Sequence, residues 1–132
     1  VAFNFYIEPR LSYSQPTAIT HFPASQAALA QIDSKDPRVA RRFEIYWQGV
    51  ELANGYFELT NAAEQSLRFE LDIKAREIAR LPYRRADNLL LAALEHGLPQ
   101  CAGVAMGVDR LLMIVVNADA IDQVLPFSYQ SA

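Results

Sequence analysis

Residues 43–59 of this chain read FEIYWQGVELANGYFEL, and this stretch decides the fold. Residues 43–47 alternate in side-chain character and are rich in residues that favour strands. Gln48-Gly49 is a turn signal, and residues 51–59 form a second alternating run. The sequence therefore predicts a β-hairpin.

The sequence on either side of this hairpin predicts one strand before it and a mixture of helices and strands after it. Helical spacing of apolar residues, capping residues and prolines set the expected bounds. The expected elements are a helix end and loop over 1–16, a strand over 17–22, a loop with one helical turn over 23–40, helices over 61–80 and 87–96, a buried strand over 103–107, a helix over 109–117 and a final strand over 124–127. Because the hairpin leads directly into the sheet, this order favours an antiparallel α+β fold over βαβ winding.

The composition fits one globular domain or a piece of a larger one. The chain has 132 residues, of which 52% are hydrophobic and 20% are charged, which excludes wholesale disorder. A net charge of −3 argues against the basic face that broad nucleic-acid binding needs. No apolar run approaches the length of a membrane span. The chain opens on Val1 with no signal-peptide pattern, so we expect a fragment of a longer protein. The single cysteine, Cys101, suits a reducing cytosol, so we expect a cytoplasmic protein.

The predicted hairpin places carboxylates on one face. Glu44 and Tyr46 share a face of the first strand, and Glu51 lies near the turn, where a bulge would re-aim it. The second strand directs a further polar set to one face: Asn54, Tyr56 and Glu58. Carboxylates that share a cleft repel one another, so they need Mg²⁺ with its phosphates or a ligand's ammonium group. The same alternation also fits a solvated outer face of a sheet, and only a concave face would indicate a cation site.

The segment at residues 103–113, GVAMGVDRLLM, could hold a flat ligand. Its small residues alternate with apolar ones and leave room on one face of a strand. Asp109 is expected to cap the next helix. Arg110 would lie in the first helical turn, which is unfavourable for the helix but suitable for binding a phosphate. The alternative is that Arg110 pairs with a neighbouring acid.

Three other reactive side chains show no functional pattern. His21 and His96 are far apart in the sequence and have no metal-binding spacing, so we expect a strand-end and a helix-end residue. Cys101 has no partner motif and is expected to be a buried structural residue.

Two segments carry a resemblance to known families. Residues 42–44 with 49–59 resemble the lysyl-tRNA synthetase segment RFE…GxEIxNGFxEL, and the glycine segment ending in Val108-Asp109-Arg110 resembles motif 3 of class II synthetases. The chain resembles most closely the elongation factor P lysyl/(R)-β-lysyl ligases, which are lysyl-tRNA synthetase paralogues without an anticodon domain. That resemblance extends over nearly the whole chain from about Phe5.

The resemblance implies the C-terminal part of a class II catalytic domain, an antiparallel sheet flanked by helices, with motif 3 present and motifs 1 and 2 absent. It also implies a role for each matching residue. Glu44 and Glu51 would bind Mg²⁺ and the ATP phosphates, and Arg110 would bind ATP and act in catalysis. Asn54, Tyr56 and Ala105 would line the lysine pocket. Glu58 would pair with the side-chain ammonium. Tyr56 stands where the families usually have Phe, and Ala105 and Ala53 stand where lysyl-tRNA synthetases usually have Gly. In the ligase family, the alanine at the position of Ala105 is associated with a pocket for β-lysine.

The implied reaction uses ATP and Mg²⁺ to activate lysine or (R)-β-lysine as an adenylate. The acyl group then passes to a lysine side chain of elongation factor P, and the full-length enzyme is expected to be a homodimer. Because motifs 1 and 2 are absent, we expect this chain alone to be inactive. Two alternatives remain: a lysyl-tRNA synthetase fragment that charges tRNA, and a noncatalytic binding or assembly module.

Overall fold

The computed structural model describes residues 2–128 and shows one four-stranded sheet with α-helices beside it. The elements are β1 (Thr17–Pro23), β2 (Val39–Trp47), β3 (Val50–Phe57), α1 (Ala62–Ile78), α2 (Asn88–His96), β4 (Ala102–Met106) and α3 (Val108–Val115). The strand order is β1-β2-β3-β4, and every neighbouring pair is antiparallel. This confirms the predicted α+β fold.

Short helical turns also lie within residues 2–128, and the first of them packs on the sheet. They lie at Phe3–Ile7, Glu8–Arg10, Ala24–Gln26 and Ile121–Gln123. The ring of Phe3 lies 6.4 Å from that of Phe22 and 5.8 Å from that of Tyr46, measured between centroids. The helix end and loop predicted before the first strand are therefore confirmed, and this segment packs on the sheet.

The hairpin between β2 and β3 has the predicted turn and the expected bulge. Gln48 and Gly49 both have positive φ, 51° and 75°, as a two-residue type I′ turn requires. Ile45 pairs with Ala53, whereas Tyr46 pairs with Glu51, so β3 contains one extra residue at this point. Without that bulge, the period-two alternation of a strand would direct Glu51 and Asn54 to opposite faces.

One cluster of the hydrophobic core lies against the sheet and is built on small residues. Ala27, Ala30 and Ala40 form a fully buried cluster, and Ile32 and Tyr56 pack against it. Small side chains let the segment after β1 lie close to β2 and β3, where Gln31 N–H donates to the Phe57 carbonyl. This close packing fixes the end of β3, where Glu58 follows.

Helices α1 and α2 begin at side-chain caps. The Asn61 side chain accepts a hydrogen bond from the Glu64 backbone N–H at 2.9 Å, and Asp87 accepts from Leu89 and Leu90. The apolar residues that predicted these helices are largely exposed, namely Leu67, Leu71, Ile78 and Leu89. None of the helices within residues 2–128 is long and apolar enough to cross a membrane.

Three details of the sequence prediction are wrong. The strand expected at 103–107 forms as β4, but it is an edge strand with Val104 and Met106 exposed rather than buried, because only β3 pairs with it. Asp109 does not cap α3, because the helix already begins at Val108 after Gly107. Residues 124–127 lie within the described part of the chain and form no strand.

Candidate functional site

Polar side chains from β2 and β3 meet on one face of the sheet, which we call the polar face. Its members are Arg42, Glu44, Tyr46, Glu51, Asn54 and Tyr56. The strand register pairs Arg42 with Tyr56, Glu44 with Asn54, and Tyr46 with Glu51. Directly opposed residues of antiparallel strands direct their side chains to the same face, so the predicted constellation of carboxylates and pocket residues is brought together.

Glu44 is buried and both of its carboxylate oxygens have partners. Arg42 Nη2 donates to Oε1 at 2.5 Å, and the Tyr46 hydroxyl donates to Oε2 at 2.5 Å. Burial and this hydrogen bond hold the pKa of the Tyr46 phenol well above its ordinary value, so it stays a donor. The charge of Glu44 is therefore balanced before any ligand binds.

Arg42 connects three parts of the site, and the sequence analysis missed it. Besides Glu44, its guanidinium donates to Asn54 Oδ1 at 3.3 Å and to the Gln26 carbonyl at 2.7 Å. It also lies 5.7 Å from the centre of the Tyr56 ring. The available signal was position: Arg42 is two residues before Glu44 and therefore lies on the same face of β2.

Glu51 and Arg110 lie together where β3 meets α3. Arg110 Nη1 donates to the backbone carbonyl of Glu51 at 2.9 Å and forms no ion pair with a carboxylate among residues 2–128. Burial and the charge of Glu44 raise the pKa of the Glu51 carboxyl, while the Arg110 charge acts against that rise. Within residues 2–128, Arg110 therefore does not form the ion pair that the alternative interpretation predicted.

Two cavities show that the polar face is concave, as the cation interpretation requires. One, of about 380 Å³, is lined by Glu51, Asn54, Ala105 and Arg110 among others. The other, of about 560 Å³, is lined by Arg42, Glu44, Tyr46 and Glu51 among others. Glu51 borders both, which places its carboxylate between two ligand-sized spaces.

The carboxylates fit a magnesium ion that is held largely by a phosphate ligand. No group of three His, Cys, Asp or Glu side chains within residues 2–128 could form a complete metal cage. Mg²⁺ commonly binds one or two carboxylates together with water and phosphate oxygens. Glu51 accepts no hydrogen bond on its carboxylate in this part of the chain, whereas Glu44 offers only the lone pairs left by Arg42 and Tyr46.

Glu58 is held at the far end of β3 by its backbone. Its N–H donates to the Cys101 carbonyl at 3.0 Å, and its own carbonyl accepts from Gln31 Nε2 at 3.0 Å. The carboxylate lies over Gly103, where a Cβ atom would collide with Oε1. In the described residues Glu58 forms no ion pair, so its charge is open to a ligand's cation. Sequence reasoning missed Gln31, whose role depends on a contact between distant segments.

Small residues of β4 form the floor beside the polar face. Ala105 pairs with Asn54 and Gly103 pairs with Tyr56 across the β3–β4 ladder. Their short side chains leave the polar groups of β3 accessible from this side. The two pairs, Ala105 with Asn54 and Gly103 with Tyr56, therefore flank the space between Arg110 and Glu58.

The sequence is similar to known proteins over nearly its whole length. The sequence model of the family "tRNA synthetases class II (D, K and N)" matches residues 5–131. This chain belongs to that family. It is 57% identical over 130 residues to an elongation factor P–(R)-β-lysine ligase of Mannheimia succiniciproducens, covering 98% of this chain. Ligases of the same name from Pectobacterium carotovorum subsp. carotovorum and Edwardsiella ictaluri are 53% and 54% identical to it. Both matches extend over 130 residues, again 98% of this chain. The chain spans 40% of the length of each of these relatives.

In this class II synthetase chain, the histidines and the cysteine are not members of the polar face, although His21 lines the larger of its two cavities. His21 is exposed at a bulge near the end of β1 and bonds the Thr20 hydroxyl at 2.9 Å. His96 is the last residue of α2 and is exposed. Cys101 is partly buried and contributes its carbonyl to Glu58. His21 and His96 lie at the strand end and helix end expected for them, whereas Cys101 is less buried than expected.

Proposed function

We propose that this chain is the C-terminal part of the catalytic domain of an ATP-dependent ligase, present in cytoplasm, that activates lysine or (R)-β-lysine and transfers it to elongation factor P. One observation supports the proposal: Glu51, Asn54, Tyr56 and Glu58 follow one another along β3 and just beyond it, with Arg110 beside Glu51. The names of the similar proteins support the same activity.

The order of groups along β3 fits an aminoacyl-adenylate. Glu51 and Arg110 at one end would bind the ATP phosphates, and Glu58 at the other would pair with the side-chain ammonium. A strand rises about 3.3 Å per residue, so these ends are about 20 Å apart along the backbone. Asn54 and Tyr56 lie between them and would flank the amino acid. The side chains at both ends would reach inward to contact a lysine joined to a phosphate.

The reaction needs positioning and charge stabilisation rather than a protein nucleophile. A carboxylate oxygen of the amino acid would form a bond to the α-phosphorus of ATP while the bond to pyrophosphate breaks. Arg110 would stabilise charge on the phosphate oxygens. Mg²⁺, held in part by Glu51 and Glu44, would add positive charge there when bound. Arg42 and Tyr46 keep Glu44 in one orientation, which preorganises this end of the site.

Ala105 is the proposed determinant of which lysine isomer fits. Its methyl group stands beside Asn54, where lysyl-tRNA synthetases usually have glycine. A methyl group at this point narrows the pocket next to the backbone of the amino acid, where α-lysine and β-lysine differ. We propose that the full-length enzyme is a homodimer that transfers the acyl group to a lysine side chain of the acceptor protein.

The test is ATP–pyrophosphate exchange by the full-length protein with α-lysine and (R)-β-lysine measured in parallel. We expect preference for (R)-β-lysine, and we expect Ala105→Gly to shift preference toward α-lysine. This chain alone is expected to give no exchange, because motifs 1 and 2 are absent. Exchange by full-length protein with neither isomer would contradict the proposal and favour a noncatalytic binding module.

Charging of tRNA is the second candidate, because the matching family is named for tRNA synthetases. It is distinguished by offering the activated amino acid either elongation factor P or lysine tRNA. Transfer to tRNA with preference for α-lysine would establish the second candidate, whereas transfer to the protein would exclude it.

A further inference from the structure

Each nitrogen of the Arg42 guanidinium group has its own acceptor. Nη1 donates to the Gln26 carbonyl at 2.7 Å, Nη2 to Glu44 Oε1 at 2.5 Å, and Nε to Asn54 Oδ1 at 3.3 Å. The side chain is only 16% exposed, and the Tyr56 ring lies 5.7 Å from the guanidinium carbon. A planar group with three fixed acceptors cannot turn, so the fold sets the direction of each of these bonds.

The bond to Asn54 decides which end of that side-chain amide faces Arg42. A guanidinium group donates hydrogen bonds and accepts none, so the amide must turn its oxygen toward Arg42 and its NH₂ group away. Within residues 2–128, Asn54 Nδ2 has no acceptor of its own. Ala105, which pairs with Asn54 across the ladder, has only a methyl side chain. Asn54 lines the cavity of about 380 Å³, so it offers a ligand there a donor rather than an acceptor.

The position of Asn54 indicates which group of the ligand meets this donor. Asn54 lies three residues after Glu51, at the phosphate end of the site, and four residues before Glu58, at the ammonium end. The part of an activated lysine between those ends is the carboxyl group and the amino group nearest to it. An amide NH₂ group hydrogen-bonds a carboxylate oxygen, whereas an amide oxygen would repel it.

We propose that Arg42 is a positioning residue that holds the Asn54 amide with its NH₂ group toward the carboxylate of the amino acid. This deepens the proposed function and rests on it. Arg42 would act through Asn54 without touching the amino acid itself. The consequence is specificity, because a diamine carries the ammonium groups of lysine but has no carboxylate to accept this bond. Such a diamine would otherwise occupy the site without any group that ATP can activate.

The experiment compares two ligands by titration calorimetry of the full-length protein, without ATP or Mg²⁺ so that metal binding at Glu44 does not enter. One ligand is the lysine isomer that wild type binds more tightly, and the other is the diamine obtained by removing the carboxylate of that isomer. The ratio of the diamine Kd to the amino-acid Kd measures discrimination. Arg42→Lys keeps the positive charge but lacks the planar fork that reaches three acceptors.

We expect Arg42→Lys to lower discrimination about tenfold or more, because a hydrogen bond to a charged group is lost. The Kd for the diamine should stay within about twofold of wild type. Arg41→Lys is the matched control, since Arg41 is exposed on the opposite face of β2, over the Phe57 ring, and it should match wild type. Arg42→Gln, with one donor group in place of three, keeps the test valid if Arg42→Lys does not fold.

A double-mutant cycle tests whether Arg42 acts through Asn54. Asn54→Ala should also lower discrimination, and Arg42→Lys should lower it no further in that background. Additive losses would overturn the proposal, because Arg42 would then act on the ligand by another route.

The remaining outcomes are equally distinct. Unchanged discrimination in the folded Arg42 variants overturns the proposal, and equal weakening of both ligands overturns it in favour of a general structural role. Weaker ATP binding with unchanged discrimination assigns the Asn54 donor to a phosphate oxygen and also overturns it. Wild-type protein that binds neither lysine isomer and gives no pyrophosphate exchange refutes the proposed function itself, whereas exchange persists in wild type under every other outcome.

Discussion

The polar face and the two helices α1 and α2 differ in how their side chains are partnered. On the polar face, Glu44 is buried and both of its oxygens are bonded. In α1 and α2, apolar residues such as Ile78 and Leu89 are 85% and 84% exposed. The polar side chains of the sheet are therefore hydrogen-bonded to one another, whereas the two helices leave apolar side chains exposed.

This difference assigns separate tasks to the two regions. A site that stabilises charge works best when its groups are fixed before the ligand arrives, which is what Arg42 and Tyr46 achieve around Glu44. α1 and the loop after it instead carry exposed apolar and charged groups that no contact fixes in this way among residues 2–128. Substitutions that are chemically identical should therefore have different effects in the two regions.

The largest effect is expected from Glu58→Gln, at the end of β3 beside the polar face. Removal of this unpaired carboxylate leaves the substrate ammonium without a counter-charge, so kcat/KM for lysine-dependent exchange should fall about 100-fold or more. The KM for ATP should change little, because Glu58 lies at the other end of β3. Glu64→Gln in α1 is the control, since Glu64 pairs with Arg68 away from the site. A Glu58→Gln enzyme with normal lysine kinetics would falsify the assignment of the ammonium site.

The second effect compares one leucine in each region. Leu52→Ala removes a side chain that is 4% exposed, and burial of this kind is worth about 2–5 kcal/mol in unfolding free energy. Leu89→Ala removes one that is 84% exposed and should cost less than about 0.5 kcal/mol. Urea unfolding of the full-length protein measures both. An equally large loss for Leu89→Ala would mean that this face of α2 is covered in the full-length protein.

The third effect compares one tyrosine in each region. Tyr46→Phe leaves Glu44 Oε2 without its donor in a buried position, which should cost about 1–3 kcal/mol and raise the Mg²⁺ concentration needed for exchange. Tyr83→Phe removes an exposed hydroxyl and should leave both quantities near wild type. Equal stability of the two variants would show that the Tyr46 hydroxyl does not hold Glu44.

The sequence predicted the fold better than it predicted the site's internal partners. The turn at Gln48-Gly49 and the bulge near Glu51 were accessible because turn chemistry and alternation are local properties. The bonds from Arg42 to Asn54 and from Gln31 to Glu58 depend on strand register and on contact between distant segments, which no local pattern encodes. Periodicity likewise showed which residues of α1 share a face but not that Leu71 and Ile78 would be exposed.

The smallest effect concerns the charge of Glu51 and tests whether the site is strained before it binds ligand. Burial and Glu44 raise the pKa of Glu51 above its ordinary value of 4.5, so the folded state favours the protonated form. The stabilisation that this provides is complete below the ordinary pKa and is lost as pH rises through the raised folded value. Glu51→Gln should therefore raise Tm at pH 7, and the difference should vanish near pH 4. The measurement is Tm of both proteins across this pH range without Mg²⁺. A lower Tm for the variant than for wild type at pH 7 would contradict the prediction, and it would mean that Arg110 already compensates the Glu51 charge.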